Sequence, residues 1–274
     1  LGVRMVSGFT LMFICGFPIY FGGLAMAALI AVFGMIMVWE WVRMTDNASA
    51  QTTGRNIPFL SIGVVWLGLL IALWFGLRGQ WQMAILAIFV ASIVSFIEKQ
   101  RRGGALWAGF GALYILLPCL ALLWLREQGD GEAGLHSSGL AKLVFVMVIV
   151  IAADTFAYLG GSTFKGPKFA PKISPNKTWS GFLSGLILGG MFGMGAAHII
   201  GFSPVHGFFL AIPIILASVL GDLFESAIKR TLDVKDAGGL IPGHGGILDR
   251  LDSLMLAAIV ASLALLIWPG LWPV

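Results

Sequence analysis

Carboxylates and cations recur at helical spacing near the end of one apolar stretch of this chain. Asp222, Glu225, Ser226 and Lys229 lie three, four and seven residues apart, which sets them along one helix face. Asp249 and Asp252 repeat the three-residue spacing where the last apolar stretch begins. Between the two runs, residues 238–249 read Gly-Gly-Leu-Ile-Pro-Gly-His-Gly-Gly-Ile-Leu-Asp. Glycines at that density permit unusual dihedrals and close backbone approach to a ligand, which a plain inter-helix turn does not need. Two carboxylate-bearing helix ends joined by such a loop can converge on a hard divalent cation and leave coordination positions for water and phosphate oxygens. Magnesium is the natural candidate, with room for a second cation. Lys229, Arg230, Lys235 and Asp236 precede the loop, a setting suited to a polyphosphate with its metal.

Plainer explanations exist for some of these residues. An acid at a helix start complements the helix dipole, and Asp249 can pair with Arg250 or Lys229. Asp222 is harder to explain that way, because an ionisable group near the end of an apolar helix is costly and is usually functional or paired. Asp154, inside the apolar run 143–161, earns the same argument at greater depth; it can support a metal, pair with a loop lysine or hydrogen-bond between helices. Glu40, among Trp39, Trp41 and Arg43, has the setting of an ordinary interfacial acid with a structural role. His244 fits a general base, a phosphate donor or a turn residue equally well.

A second polar segment, residues 165–178, supplies four lysines and three prolines just ahead of an apolar stretch. A helix N-terminus there can bind phosphate, so Ser174, Lys177 and Thr178 are candidate anion ligands, with Thr178 also a candidate cap. A basic loop ending in an ordinary N-cap is the alternative.

The elements that must carry these residues are transmembrane helices. Hydrophobic residues make up 58% of the chain against 11% charged, and mean hydropathy is +0.94, well beyond a soluble domain. The expected fold is therefore an all-α polytopic membrane protein. Spans of roughly 20 apolar residues fall near 5–20, 22–42, 58–76, 80–97, 106–125, 139–161, 179–201, 206–228 and 249–270. The first two form a hairpin broken by Pro18, Gly22 and Gly23. Nine spans put fourteen of the seventeen Lys and Arg on one side, leaving only Arg78, Arg126 and Lys142 opposite, as the positive-inside rule requires. The N-terminus is then cytoplasmic, the C-terminus lies on the opposite side, and an acidic loop over 126–138 faces outward. No cleavable signal peptide is expected, and the start at Leu1 suggests that a short beginning has been removed. Functionally, residues 1–138 supply the N-terminal helices and residues 139–274 the helices bearing a cytoplasm-facing site.

The two cysteines, Cys15 and Cys119, lack partners at a metal-ligand spacing and are expected to serve packing. A net charge of +4 fits membrane orientation and anionic substrates, not nucleic acid. Gly193 and Gly195 lie inside an apolar span, where helix packing suits them better than nucleotide binding, and no Walker-type loop occurs.

Several blocks resemble the phosphatidate cytidylyltransferase (CDP-diacylglycerol synthase) family: Ser226-Ala-Ile-Lys229-Arg230, Lys235-Asp236-Ala-Gly238, Ile241-Pro242-Gly-His244-Gly245-Gly246 and Asp249-Arg250-Leu-Asp252. A further block joins Asp154, Ala157-Tyr158 and Gly160 to Ala170-Pro171-Lys172-Ile-Ser174-Pro175-Asn-Lys177-Thr178-Trp179-Ser-Gly181. Ser180 stands where many members carry Glu, and Lys165-Gly166 reverses the commoner order. The resemblance implies transfer of the cytidylyl group of CTP to phosphatidate, giving CDP-diacylglycerol and pyrophosphate for phospholipid biosynthesis. It implies magnesium dependence with Asp222 and Asp249 as metal ligands, and Asp154 and Asp252 as further candidates. Lys229 and Asp236 then join Asp222 and Asp249 as catalytic residues. Ser174, Lys177, Thr178, Arg230, Lys235, His244 and Arg250 bind substrate. Membrane lipids are the other partners, a homodimer is compatible, and the expected location is the bacterial inner membrane with the site facing the cytoplasm. A cation-coupled transporter and another membrane lipid phosphotransferase are the rival readings; the paired-aspartate motif of CDP-alcohol phosphotransferases is absent.

Overall fold

In hydrocarbon, each backbone N–H and C=O must find its partner within the chain, which favours long uninterrupted helices. The computed structural model describes residues 15–49, 59–100, 103–129, 138–238 and 245–272. Its helices are α1 (Gly23–Ser49), α2 (Phe59–Leu77), α3 (Trp81–Gln100), α4 (Ala105–Arg126), α5 (Ser138–Phe164), α6 (Trp179–Ile200), α7 (Pro204–Thr231) and α8 (Leu248–Ile267). All eight are long and apolar enough to cross a bilayer. Of the expected first span, only residues 15–21 are described, and they are helical. Residues 5–14, the charged residues Arg4, Arg55, Arg101, Arg102, Asp130 and Glu132, and the loop residues 239–244 with His244 lie outside the described residues.

The chain divides into two compact units. One comprises residues 1–127, 133–135 and 232–250; the other comprises 128–132, 136–231 and 251–274.

Within the first unit, the break ahead of α1 is held at both ends. Gly22 and Gly23 take φ values of +66° and +51°, open to glycine and strained for other residues. Arg126 donates from Nε to the Ile19 carbonyl and from Nη2 to the Tyr20 carbonyl, each at 2.7 Å, while Glu127 Oε1 accepts the Gly23 N–H at 2.8 Å. A cation thus meets the carbonyl end of one helix and an anion the amide end of the next, each matched to the local dipole. Elsewhere the Trp41 indole fits against Gly111 and donates to the Trp107 carbonyl at 2.9 Å, joining α1 to α4. Lys99 and Asp46 close one end of α1 and α3 with an ion pair of 2.6 Å. Cys119 is buried and Cys15 half-buried, and neither is in a disulfide.

In the second unit, Gly181, Gly185 and Gly189 recur every four residues along α6, against Ala153, Ala157 and Gly161 of α5. Small residues at this period let two helix backbones approach, which is how apolar helices gain packing energy in lipid. Gly193 continues the stripe against Gly207 and Ala211 of α7, as its apolar setting suggests, whereas Gly195 meets nothing within 4 Å. Gly221 of α7 lies against the Asp252 carbonyl of α8, so the helices are closest beside Asp222 and Asp252.

Not expected from the sequence is a small antiparallel hairpin, β1 (Lys168–Ala170) and β2 (Ser174–Thr178), with Lys168 opposite Thr178 and Ala170 opposite Ser174. Pro167, Pro171 and Pro175 disfavour helix here. The Phe169 ring anchors the hairpin on α6, meeting Trp179 edge-on at 4.6 Å and stacking on Phe182 at 5.1 Å.

A methyl group at Gly185 would meet the Ala153 carbonyl oxygen at 2.9 Å. Gly185→Leu is therefore expected to lower the thermal unfolding midpoint of the detergent-solubilised protein, consistent with an overpacking cost of about 1–3 kcal/mol. Gly195→Leu, in open space, should leave it unchanged.

Candidate functional site

Each of the two units holds its own group of chemistry-bearing residues. In the second unit, Lys177 at the end of β2 pairs with Asp222 of α7, Nζ to Oδ2 at 2.8 Å, and also reaches the Val219 carbonyl at 3.5 Å. Ser226, one turn further along α7, donates to Asp222 Oδ1 at 3.3 Å. On the adjoining part of the same face, Glu225 is fully buried and pairs with Lys229 at 3.4 Å. Asp252 of α8 lies within hydrogen-bonding reach of Glu225 and feels the charges of Asp222 and Lys229. Asp154 of α5 faces Asp222, Asp252 and Lys177.

Four carboxylates, Asp154, Asp222, Glu225 and Asp252, are thus set against two ammonium groups, Lys177 and Lys229, a balance of two negative charges among these neighbours. Oxygen donors carrying that excess suit a hard divalent cation. Among the described residues, no three His, Cys, Asp or Glu side chains converge tightly enough to hold an ion in this arrangement. The fit is one of charge and donor chemistry.

The first unit holds the glycine-rich segment. Asp249, in the first turn of α8, accepts the Gly246 N–H at 2.9 Å and the Ala237 N–H at about the same distance, 3.0 Å to the same oxygen. Its carboxylate therefore ties the two described edges of the loop together and caps α8. Gly245 has a φ of +79°, and a methyl group there would lie 3.0 Å from Asp249 Oδ2. Against the same described edges stands Glu40. Only 4% exposed, it accepts the Ile247 N–H at 3.1 Å and the Leu248 N–H at 2.9 Å, one on each carboxylate oxygen. Gly238 and Gly246 press directly on that carboxylate, leaving no space for a side chain at either position.

The remaining candidates are distributed as follows. Thr178 is the N-cap of α6, accepting the Gly181 N–H at 3.1 Å, and is buried. Ser174 is a half-buried strand residue, Lys235, Asp236 and Arg250 are exposed, and Arg230 donates to the Ile173 carbonyl at 3.3 Å. His244 lies outside the described residues. Ser180 accepts the Gly166 N–H at 3.1 Å and bonds Thr178 Oγ1 at 3.1 Å, so a short hydroxyl serves the hairpin's return into α6. The interfacial assignment of Glu40 understates it: this is a buried acid inside an apolar helix, and the cost-of-burial argument that singled out Asp222 applies to it equally.

Residues 2–268 match the family model described as the Cytidylyltransferase family. A phosphatidate cytidylyltransferase of Brucella abortus is 32% identical over 262 residues, covering 94% of this chain and 90% of that protein. One from Haemophilus influenzae is 33% identical over 267 residues, 88% of each chain. One from Rickettsia conorii is 40% identical over 158 residues, 55% of this chain and 65% of its own.

Removing the Glu40 carboxylate would leave two buried amides without acceptors, at a cost of about 1–3 kcal/mol each. Glu40→Ala is expected to raise hydrogen exchange at Ile247 and Leu248 and to lower the unfolding midpoint. Unchanged protection of those amides would show that Glu40 does not hold the loop.

Proposed function

The chain belongs to the cytidylyltransferase family, and we propose that it transfers the cytidylyl group of CTP to phosphatidate, yielding CDP-diacylglycerol and pyrophosphate. The observation that carries this reading is the Lys177–Asp222 pair at the end of an apolar helix, with Glu225 and Lys229 beside it. An ion pair only 24% and 32% exposed, at the mouth of an apolar helix bundle, suits a substrate whose phosphate is polar and whose acyl chains are not.

In this reaction an oxygen of the lipid phosphate forms a bond to the α-phosphorus of CTP while the bond from that phosphorus to the bridging oxygen breaks. The electron pair leaves with pyrophosphate. Phosphatidate is already an oxyanion near neutral pH, so no covalent intermediate on the protein is required. Catalysis of this kind rests on positioning and on charge placed where it develops. Lys177 is suited to phosphate oxygens, Lys229 to adding positive charge beside them while it stays paired with Glu225, and Asp222, with Asp252 and Asp154, to a divalent cation. Magnesium bound there would neutralise charge on the phosphates. Asp249 is proposed as a further catalytic acid, its carboxylate also tying together the described edges of the glycine-rich segment. The helices identify an integral membrane protein; we place it in the bacterial inner membrane with its site toward the cytoplasm, where CTP is available.

The test is magnesium-dependent conversion of CTP and phosphatidate by the purified protein. Asp222→Asn, if folded, is expected to lose activity by roughly a hundredfold or more, the scale of removing one preorganised electrostatic group. Asp249→Asn should lose activity as well. Robust turnover by both variants would overturn the assignments, and a folded but inactive parent would favour a cation-coupled transporter.

A further inference from the structure

The segment 165–178 carries four lysines, and the structure divides them. Lys177 turns to Asp222. Lys165, Lys168 and Lys172 are exposed, and their ammonium groups have no hydrogen-bond or ion-pair partner among the described residues. Aromatic rings flank the same segment: Phe164, the last residue of α5, is 72% exposed, and Trp179, the first of α6, is 46% exposed. Both helices are long and apolar enough to cross a bilayer. The hairpin therefore begins and ends where a helix leaves hydrocarbon, the depth at which Trp settles and lysines reach for headgroups.

The lysines are also held in place. The Trp179 N–H donates to the Pro167 carbonyl at 2.9 Å, Arg230 donates to the Ile173 carbonyl at 3.3 Å, and Phe169 is clasped by Trp179 and Phe182. Three unpaired ammonium groups beside exposed rings on an anchored hairpin complement an anionic bilayer surface, with rings at the headgroup boundary and charges on phosphates.

We propose that this hairpin is a docking surface for anionic lipid headgroups of the surrounding leaflet, with Lys165, Lys168 and Lys172 as its contacts. It deepens the proposed function, because phosphatidate is itself an anionic lipid and would be enriched beside Lys177. Its physical basis, lipid attraction, does not depend on turnover.

The full chain and its Lys165→Gln/Lys168→Gln/Lys172→Gln variant would be placed in phosphatidylcholine nanodiscs containing phosphatidylglycerol, and retained lipids counted by native mass spectrometry. The variant is expected to lose phosphatidylglycerol affinity by roughly fivefold per lysine, the equivalent of about 1 kcal/mol each, with phosphatidylcholine retention unchanged. Raising the salt concentration should shrink the difference, since screening shortens the reach of surface charge to about 8 Å at physiological ionic strength. In turnover assays KM for phosphatidate should rise, with kcat and KM for CTP unchanged. Equal phosphatidylglycerol retention by both proteins would overturn the proposal, as would a selective rise in KM for CTP, which would assign the lysines to the nucleotide. An inactive parent that still retains phosphatidylglycerol through these lysines would sink the catalytic reading and leave the docking surface standing.

Discussion

In an apolar slab a polar group without a partner costs several kcal/mol, so each one must be met from within the chain. Long helices meet that demand for most of the backbone. The places where they stop are where side chains take over. At Gly22 and Gly23 the helix breaks, and Arg126 and Glu127 take up the freed carbonyls and amide. At the start of α8 the same problem is met by Glu40 and Asp249, which accept the amides of Ile247, Leu248, Gly246 and Ala237. The described edges of the glycine-rich loop are pinned by two carboxylates, one reaching it from α1 across more than two hundred residues of sequence.

Close approach is the second half of the design. Glycines every four residues along α6 bring α5 within contact of the hairpin-bearing helix, and Gly221 brings α7 against α8 beside two acids. Asp154, Asp222 and Asp252 come from three different helices. Asp252 comes close to Asp222 because Gly221 lets the backbones of α7 and α8 touch.

Eight of the nine expected spans, those from α1 to α8, were legible because each is a long apolar run, and the face joining Asp222, Glu225, Ser226 and Lys229 was legible because helical spacing maps directly onto geometry. Thr178 as a cap followed from residue type alone. The hairpin was not legible: three prolines exclude helix, yet the strand pairing depends on Phe169 packing against α6, a tertiary contact. Glu40 was expected to be structural but interfacial; its burial and its backbone-amide partners, more than two hundred residues away in sequence, are tertiary in the same way. Arg78, Arg126 and Lys142, which the charge count expects opposite the main positive cluster, also have roles that charge counting cannot see. Arg78 lies over the Trp74 ring at 4.1 Å, Arg126 serves the Gly22 break, and Lys142 reaches Ser138 Oγ at 3.1 Å.

The two ion pairs of the second unit differ in what opening them would cost. Lys177 and Asp222 retain 24% and 32% of their side-chain exposure, so water already competes with their contact and its net worth is of the order of a surface pair, about 0–1 kcal/mol. Glu225 is 0% and Lys229 14% exposed, so removing either member of this buried pair would cost more, about 3–5 kcal/mol. An arriving phosphate or cation can therefore draw Lys177 and Asp222 apart with little loss, each exchanging one opposite charge for another. The inner pair cannot exchange so cheaply. On the proposed reaction that asymmetry would divide the work: the outer pair would change partners as substrate enters, while the inner pair would hold α7 beside Asp252.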